Sequence, residues 1–233
     1  MILLLGDIHG NYNILQEAIK KAEMVGDVSA IIQVGDFCLF RGMENVKDML
    51  CPNNEKEFKL VLANSNIPVY FIDGNHDDCD RWLEYTEVTQ VYEDIPFYYV
   101  PRGTVMELDG QTLAFMGGAS SINKKWILRD GGFWTPLEDI RHEDIQKLLQ
   151  NAEGKKIDAF ITHIPPHSVV QEHFDNTAKI MFEVGPEWHD INQTIVEDLW
   201  RKLGTPPIFS GHMHRRIVGQ NYRILDINEL LAI

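Results

Sequence analysis

Short apolar runs recur along the chain, and most of them end abruptly at a glycine or a small polar cluster. Runs at 2–5, 30–34, 68–72, 97–100, 104–108, 112–116, 157–162, 207–210, 216–220 and 222–227 are β-branched or continuously apolar and bounded by turn residues, which predicts strands. Helical spacing alternates with the early runs. Residues 11–25 place Ile14, Leu15, Ala18, Ile19 and Ala22 on one stripe behind Asn11, a good N-cap. Similar patterns predict helices over 55–64, 80–86, 137–151 and 189–203. Strands that alternate with helices pair in parallel through right-handed crossovers. The middle and closing strand runs, with turn signals at 99–103 and at Asp109-Gly110, predict antiparallel hairpins. The expected architecture is α/β, two mixed sheets packed face to face with helices outside, in a single domain over 1–233. Two stretches break the pattern, 117–136 and 164–188, and are expected to be long loops; loops of that length usually have a function.

Composition narrows the setting. A chain of 233 residues buries enough surface to hold together without disulfide staples. Cys38, Cys51 and Cys79 are odd in number and unpaired in spacing, so they read as reduced thiols. No apolar run approaches the ~20 residues needed to span a bilayer. The opening MILLL lacks a basic flank and a cleavage site, so it reads as a strand and the chain as cytoplasmic. A net charge of −14 argues against a nonspecific grip on nucleic acid, which needs a basic face. The expected partner is a small phosphorylated substrate, nucleotides included.

The polar clusters carry the chemistry. Asp7 and His9 follow the first run, Asp36 the second, Asn75 and His76 the third, His163 the run at 157–162, and His212 and His214 the run at 207–210. In an α/β sheet the C-terminal ends of parallel strands are where sites assemble. Residues i and i+2 of an extended segment share a side, which would let Asp7 and His9, and again His212 and His214, reach one cation. A carboxylate can bridge two cations and an imidazole cannot, so Asp36 is the natural bridging ligand. Asn75 offers an amide oxygen suited to a hard cation, while His76 points away from it, as a proton donor would. Each cluster alone is equally compatible with a helix cap or a surface histidine. Together they predict a metal site of mixed nitrogen and oxygen donors.

The series Asp-x-His, Gly-Asp, Gly-Asn-His-Asp, His, Gly-His-x-His, running from residue 6 to 214, resembles that of the calcineurin-like metallophosphoesterases. The resemblance implies a four-layer α/β/β/α sandwich and two divalent metal ions, manganese first, with iron, zinc, nickel and magnesium open. It assigns Asp7, His9 and His214 to one metal, Asn75, His163 and His212 to the other, and Asp36 to both. His76 falls on the family's proton-donating histidine. The implied activity is hydrolysis of phosphodiester or phosphomonoester bonds by a water activated between the metals. The alternatives are a protein phosphatase, a dinucleoside polyphosphate hydrolase and a non-catalytic scaffold of the same fold.

The phosphatase-like relatives continue Gly-Asp-x-x-Asp-Arg-Gly, where this chain reads GDFCLFRG, with Phe40 ahead of Arg41. They also carry an arginine where this chain has Asp73. Arg41 is the first expectation for substrate binding, followed by Arg81, Arg102 and Arg129. Trp126, Phe133 and Trp134 are candidates to stack on a base, or else loop residues packed on the domain. His167 is a candidate to line the site.

Overall fold

The computed structural model describes residues 1–39, 55–132 and 134–233. Its strands are β1 (Ile2–Leu5), β2 (Ala30–Gln33), β3 (Val69–Phe71), β4 (Thr89–Tyr92), β5 (Ile95–Tyr99), β6 (Val105–Leu108), β7 (Gln111–Met116), β8 (Ala159–Thr162), β9 (Ile208–Ser210), β10 (Ile217–Val218), β11 (Tyr222–Ile224) and β12 (Leu230–Ala232). Its helices are α1 (Tyr12–Val25), α2 (Glu55–Ala63), α3 (Cys79–Trp82), α4 (Lys124–Arg129), α5 (His142–Ala152), α6 (His167–His173), α7 (Thr177–Met181) and α8 (Ile191–Lys202).

The strands form two six-stranded sheets, ordered β12-β1-β2-β3-β5-β4 and β10-β11-β9-β8-β7-β6. In each, the inner four strands are parallel and both edges antiparallel. The period-2 alternation of a strand sorts side chains into layers. Ile2, Leu4 and Ile32 meet Leu113, Phe115, Ile161 and Phe209 between the sheets. Leu3, Leu5 and Ile31 face outward onto α1 and α2, and Ala114, Met116 and Phe160 face α5 and α8. The result is the four-layer α/β/β/α arrangement expected. The first outer layer is aromatic: Phe37, Phe58, Phe71 and Phe97 pack ring to ring, with Trp82 and Tyr99 at the margin.

Local departures have local causes. Edge strand β4 (TQVY) is only partly buried and lacks a continuous apolar run, so it escapes the pattern. β12 also goes unread, because three residues carry no periodicity. The turn at 99–103 is not a hairpin: it carries the chain from β5 in one sheet to β6 in the other. Asp109-Gly110 is the hairpin turn expected, both residues at positive φ. The helix read over 137–151 starts at His142, after a 3-10 turn over Pro136–Glu138. α4 lies in the first irregular stretch, and α6 and α7 in the second. Cys79 is free and buried. Among the described residues no helix is long and apolar enough to cross a membrane.

Candidate metal centre

Five loops, at the C-terminal ends of β1, β2, β3, β8 and β9, converge at one end of the sandwich. The first sheet supplies Asp7, His9, Asp36, Asn75 and His76; the second supplies His163, His212 and His214. Two donor groups result. Ligand atoms of Asp7, His9, Asp36 and His214 lie within 4.8 Å of one another, as do those of Asp36, His163 and His212. In the first, His214 Nε2 is 3.2 Å from Asp7 Oδ2 and 2.9 Å from His9 Nε2. In the second, Asn75 Oδ1 lies 2.9 Å from His212 Nδ1 and 3.2 Å from His163 Nε2. Asp36 belongs to both: Oδ1 is 3.4 Å from His163 Nε2, and Oδ2 is 3.9 Å from His9 Nε2.

The backbone that presents these groups is not extended. His9, Asp36, His212 and His214 all have positive φ, between 43° and 67°. Their side chains converge through left-handed turns and not through the i, i+2 alternation of a strand, which corrects the geometric half of the sequence reading. Such residues cost about 1–3 kcal/mol each and persist where the surroundings over-determine them. Glycine makes the crowding possible. A Cβ on Gly74 would collide with the Asp36 carboxylate and the His163 ring, and one on Gly211 would collide with Asp7.

Neighbouring groups set which atom of each ligand faces inward. His163 Nδ1 lies 2.9 Å from the Val34 carbonyl, to which it donates, leaving Nε2 for the centre. Asn75 Nδ2 donates to Ser121 Oγ at 3.1 Å, and Ser121 Oγ donates to the buried Glu138 Oε2 at 2.6 Å, so the amide oxygen points inward. Asp77 accepts from the N–H groups of Cys38 (2.6 Å), Gly74 (2.7 Å) and Phe37 (3.3 Å), binding the loop after β2 to the loop after β3. Its burial and the nearby Asp36 charge push its pKa up to about 7, against those N–H bonds.

The donor set fits divalent cations. Asp36 Oδ2 is buried and has no hydrogen-bond partner among the described residues, a costly state for a carboxylate oxygen unless a cation meets it. Burial alone would strip His163 of its proton, yet Asp36 beside it raises its pKa to about 10. Burial likewise works against the charge of Asp36, but His163, His76 and His9 hold it well below the usual carboxylate range. His212, half-buried beside His163, is pushed well below the ordinary imidazole value by desolvation and by that neighbouring ring, and stays a neutral donor. The pocket thus draws positive charge to the point its oxygen and nitrogen atoms share.

The family model for calcineurin-like phosphoesterases matches residues 1–216. The chain belongs to the calcineurin-like phosphoesterase family. The chain is also similar, at low identity, to solved structures. GAP50, the anchor in the inner membrane complex of Plasmodium, is 11% identical over 97% of this chain and 72% of its own, with a TM-score of 0.51. A putative 5′-nucleotidase from Staphylococcus aureus is 12% identical over 97% of this chain, with a TM-score of 0.48; the match spans 48% of that protein. The sulfate thiohydrolase SoxB of Thermus thermophilus is 12% identical over 96% of this chain and 38% of its own, at a TM-score of 0.39. No curated protein matches the sequence.

As a calcineurin-like phosphoesterase the chain is, in general terms, metal-dependent, and all seven predicted ligands meet at the cluster. His76 joins them: its backbone N–H donates to Asp36 Oδ1 at 2.8 Å, and its ring stands edge-on to His9, centroids 5.3 Å apart. Arg41, Phe40, Cys51 and Phe133 lie outside the described residues. Arg102 is no phosphate clamp. Its side chain is fully buried and forks onto Asp73 Oδ2 through Nε (2.9 Å) and Nη2 (2.6 Å), while Nη1 donates to the Asp139 carbonyl. Tyr99 donates to the other Asp73 oxygen at 2.9 Å. The aspartate standing where relatives have an arginine is therefore committed to a structural ion pair. Arg129 is exposed and pairs with Asp130, and Arg81 is exposed and lies over the Trp82 ring. Trp126 packs edge-on to Phe182, and Lys124 covers Trp134, as loop residues packed on the domain would. The sequence reading missed Ser121, Glu138 and Asp77. Only Asp77, inside Gly-Asn-His-Asp, carries a sequence signal.

Proposed function

We propose that the chain hydrolyses phosphodiester or phosphomonoester bonds using two divalent cations, manganese first among them. Asp7, His9 and His214 hold one, Asn75, His163 and His212 the other, and Asp36 both. The observation that carries this reading is the Asp36 carboxylate, shared by both donor groups with one oxygen buried and unpaired among the described residues. When bound, such a pair supplies an acidified water and positive charge for the phosphoryl oxygens. The chain's own part is orientation and proton transfer. Val34 and Ser121 hold the inward faces of His163 and Asn75, and His76 delivers a proton to the leaving oxygen.

Chelated and remetallated protein should turn over bis-p-nitrophenyl phosphate or p-nitrophenyl phosphate; no turnover of either with any of the five metals would sink the reading. His76→Ala should lower kcat by about 10²–10⁴-fold while elemental analysis finds the metal content of the parent. Full activity in that variant would remove His76 from the mechanism.

A further inference from the structure

The loops around α6 and α7 line a cavity of about 510 Å³. Its wall neighbours the centre along the chain. Met213, on its wall, stands between His212 and His214, and Ile122 follows Ser121, which holds the Asn75 amide. Its size falls within the ~300–1,000 Å³ of small-molecule sites.

The walls define what would fit. Phe174, Trp188 and Met213 offer apolar and aromatic surface. Gln171, Asn176 and Gln193 offer amides. Gln193 is 8% exposed; its Oε1 lies 3.4 Å from His167 Nδ1, and its NH₂ makes no hydrogen bond among the described residues. The charges on the wall are already committed. Lys179 Nζ donates to the Pro186 carbonyl at 2.9 Å, Asp175 accepts from Thr177 N at 2.9 Å, and Asp190 accepts from the N–H groups of Ser120 and Asn192 at 2.8 Å each. With two carboxylates against one engaged ammonium and the imidazoles of His167 and His189, and no arginine among the described residues of its wall, the cavity disfavours a second phosphate. Aromatic rings beside amides suit a heterocycle, which has apolar faces and hydrogen-bonding edges.

We propose that this cavity receives the leaving alcohol of the ester and that this alcohol is an uncharged one of nucleoside type. The proposal rests on the phosphoesterase reading above. In the hydrolysis it serves, a water oxygen forms the new P–O bond while the P–O bond to the alcohol breaks. The electron pair leaves on the alcohol oxygen, which takes its proton from His76; the water's proton passes to solvent, which also reprotonates His76. A dinucleoside polyphosphate, whose leaving group is itself anionic, is the poorer fit.

The manganese-loaded chain should be assayed on the phosphomonoesters and methyl phosphodiesters of adenosine and of glycerol, by chromatography of the released alcohol. Within the ester class that is cleaved, kcat/KM should favour adenosine by about tenfold or more. Trp188→Ala, and separately Gln193→Leu, should shrink that ratio by about tenfold. Equal kcat/KM for the two alcohols, with p-nitrophenyl esters still hydrolysed, overturns the cavity assignment and leaves the activity standing. Calorimetric titration of adenosine into metal-free protein tests the cavity apart from catalysis: binding weakened by Trp188→Ala supports it, and absence of binding overturns it. Failure of every ester alongside adenosine binding would overturn the activity reading alone.

Discussion

An asparagine amide can present its oxygen or its nitrogen, and only the oxygen binds a cation. For Asn75 the choice falls to a serine 46 residues away in sequence, itself held by Glu138. Ser121→Ala should therefore weaken one of two manganese-binding steps by about 10–100-fold, as loss of an outer-shell partner does, and spare the other. Titration calorimetry on chelated protein would show it; two unaltered steps would mean the amide is oriented by other contacts. The ligands themselves were legible because each sits in a short motif at a strand end. Ser121 was not, since a serine in GGASS looks like any loop serine. Nor was the fate of Asp73: its identity is visible in the sequence, but its partner Arg102 lies 29 residues on, in a turn between the two sheets.

Among the elements, the mix of parallel and antiparallel pairing and the layered architecture followed from alternation, while the irregular stretches hid their short helices. α6 and α7 have seven and five residues, too few for a periodic stripe, and their placement depends on tertiary ties. One tie is Glu197 on α8, whose Oε2 accepts from Ser168 Oγ at 2.7 Å and from Ser168 N at 3.2 Å, at the start of α6, while Arg201 pairs with Oε1. Burial alone would raise the Glu197 pKa, but these hydrogen bonds and Arg201 bring it below the usual value. A lowered folded-state pKa means that the stabilisation is present above the ordinary glutamate range, about 4.3, and is lost as pH falls through the folded-state value. Glu197→Gln should accordingly cost stability in urea unfolding at pH 7 and much less at pH 3. An equal loss at both would assign the effect to shape and not to charge.

Across the whole molecule, the apolar layer between the sheets joins them along their length, and the ligand cluster joins them at one end. Four of the seven ligands stand on loops of the first sheet and three on loops of the second. Cations held there would close non-covalent links between segments as far apart as Asp7 and His214. A ligand that binds only the folded chain stabilises it by about 2.7 kcal/mol at a hundred times its Kd. The melting temperature should rise with manganese concentration and fall on chelation, and Asp36→Asn should flatten that dependence. A metal-independent melting curve for the parent chain would contradict this. Because the same atoms serve both roles, the fraction of chain that survives proteolytic surveillance in a cell would follow the supply of its metal. Shortage would then lower the amount of the protein as well as its activity, so that abundance itself becomes a readout of the divalent-cation pool.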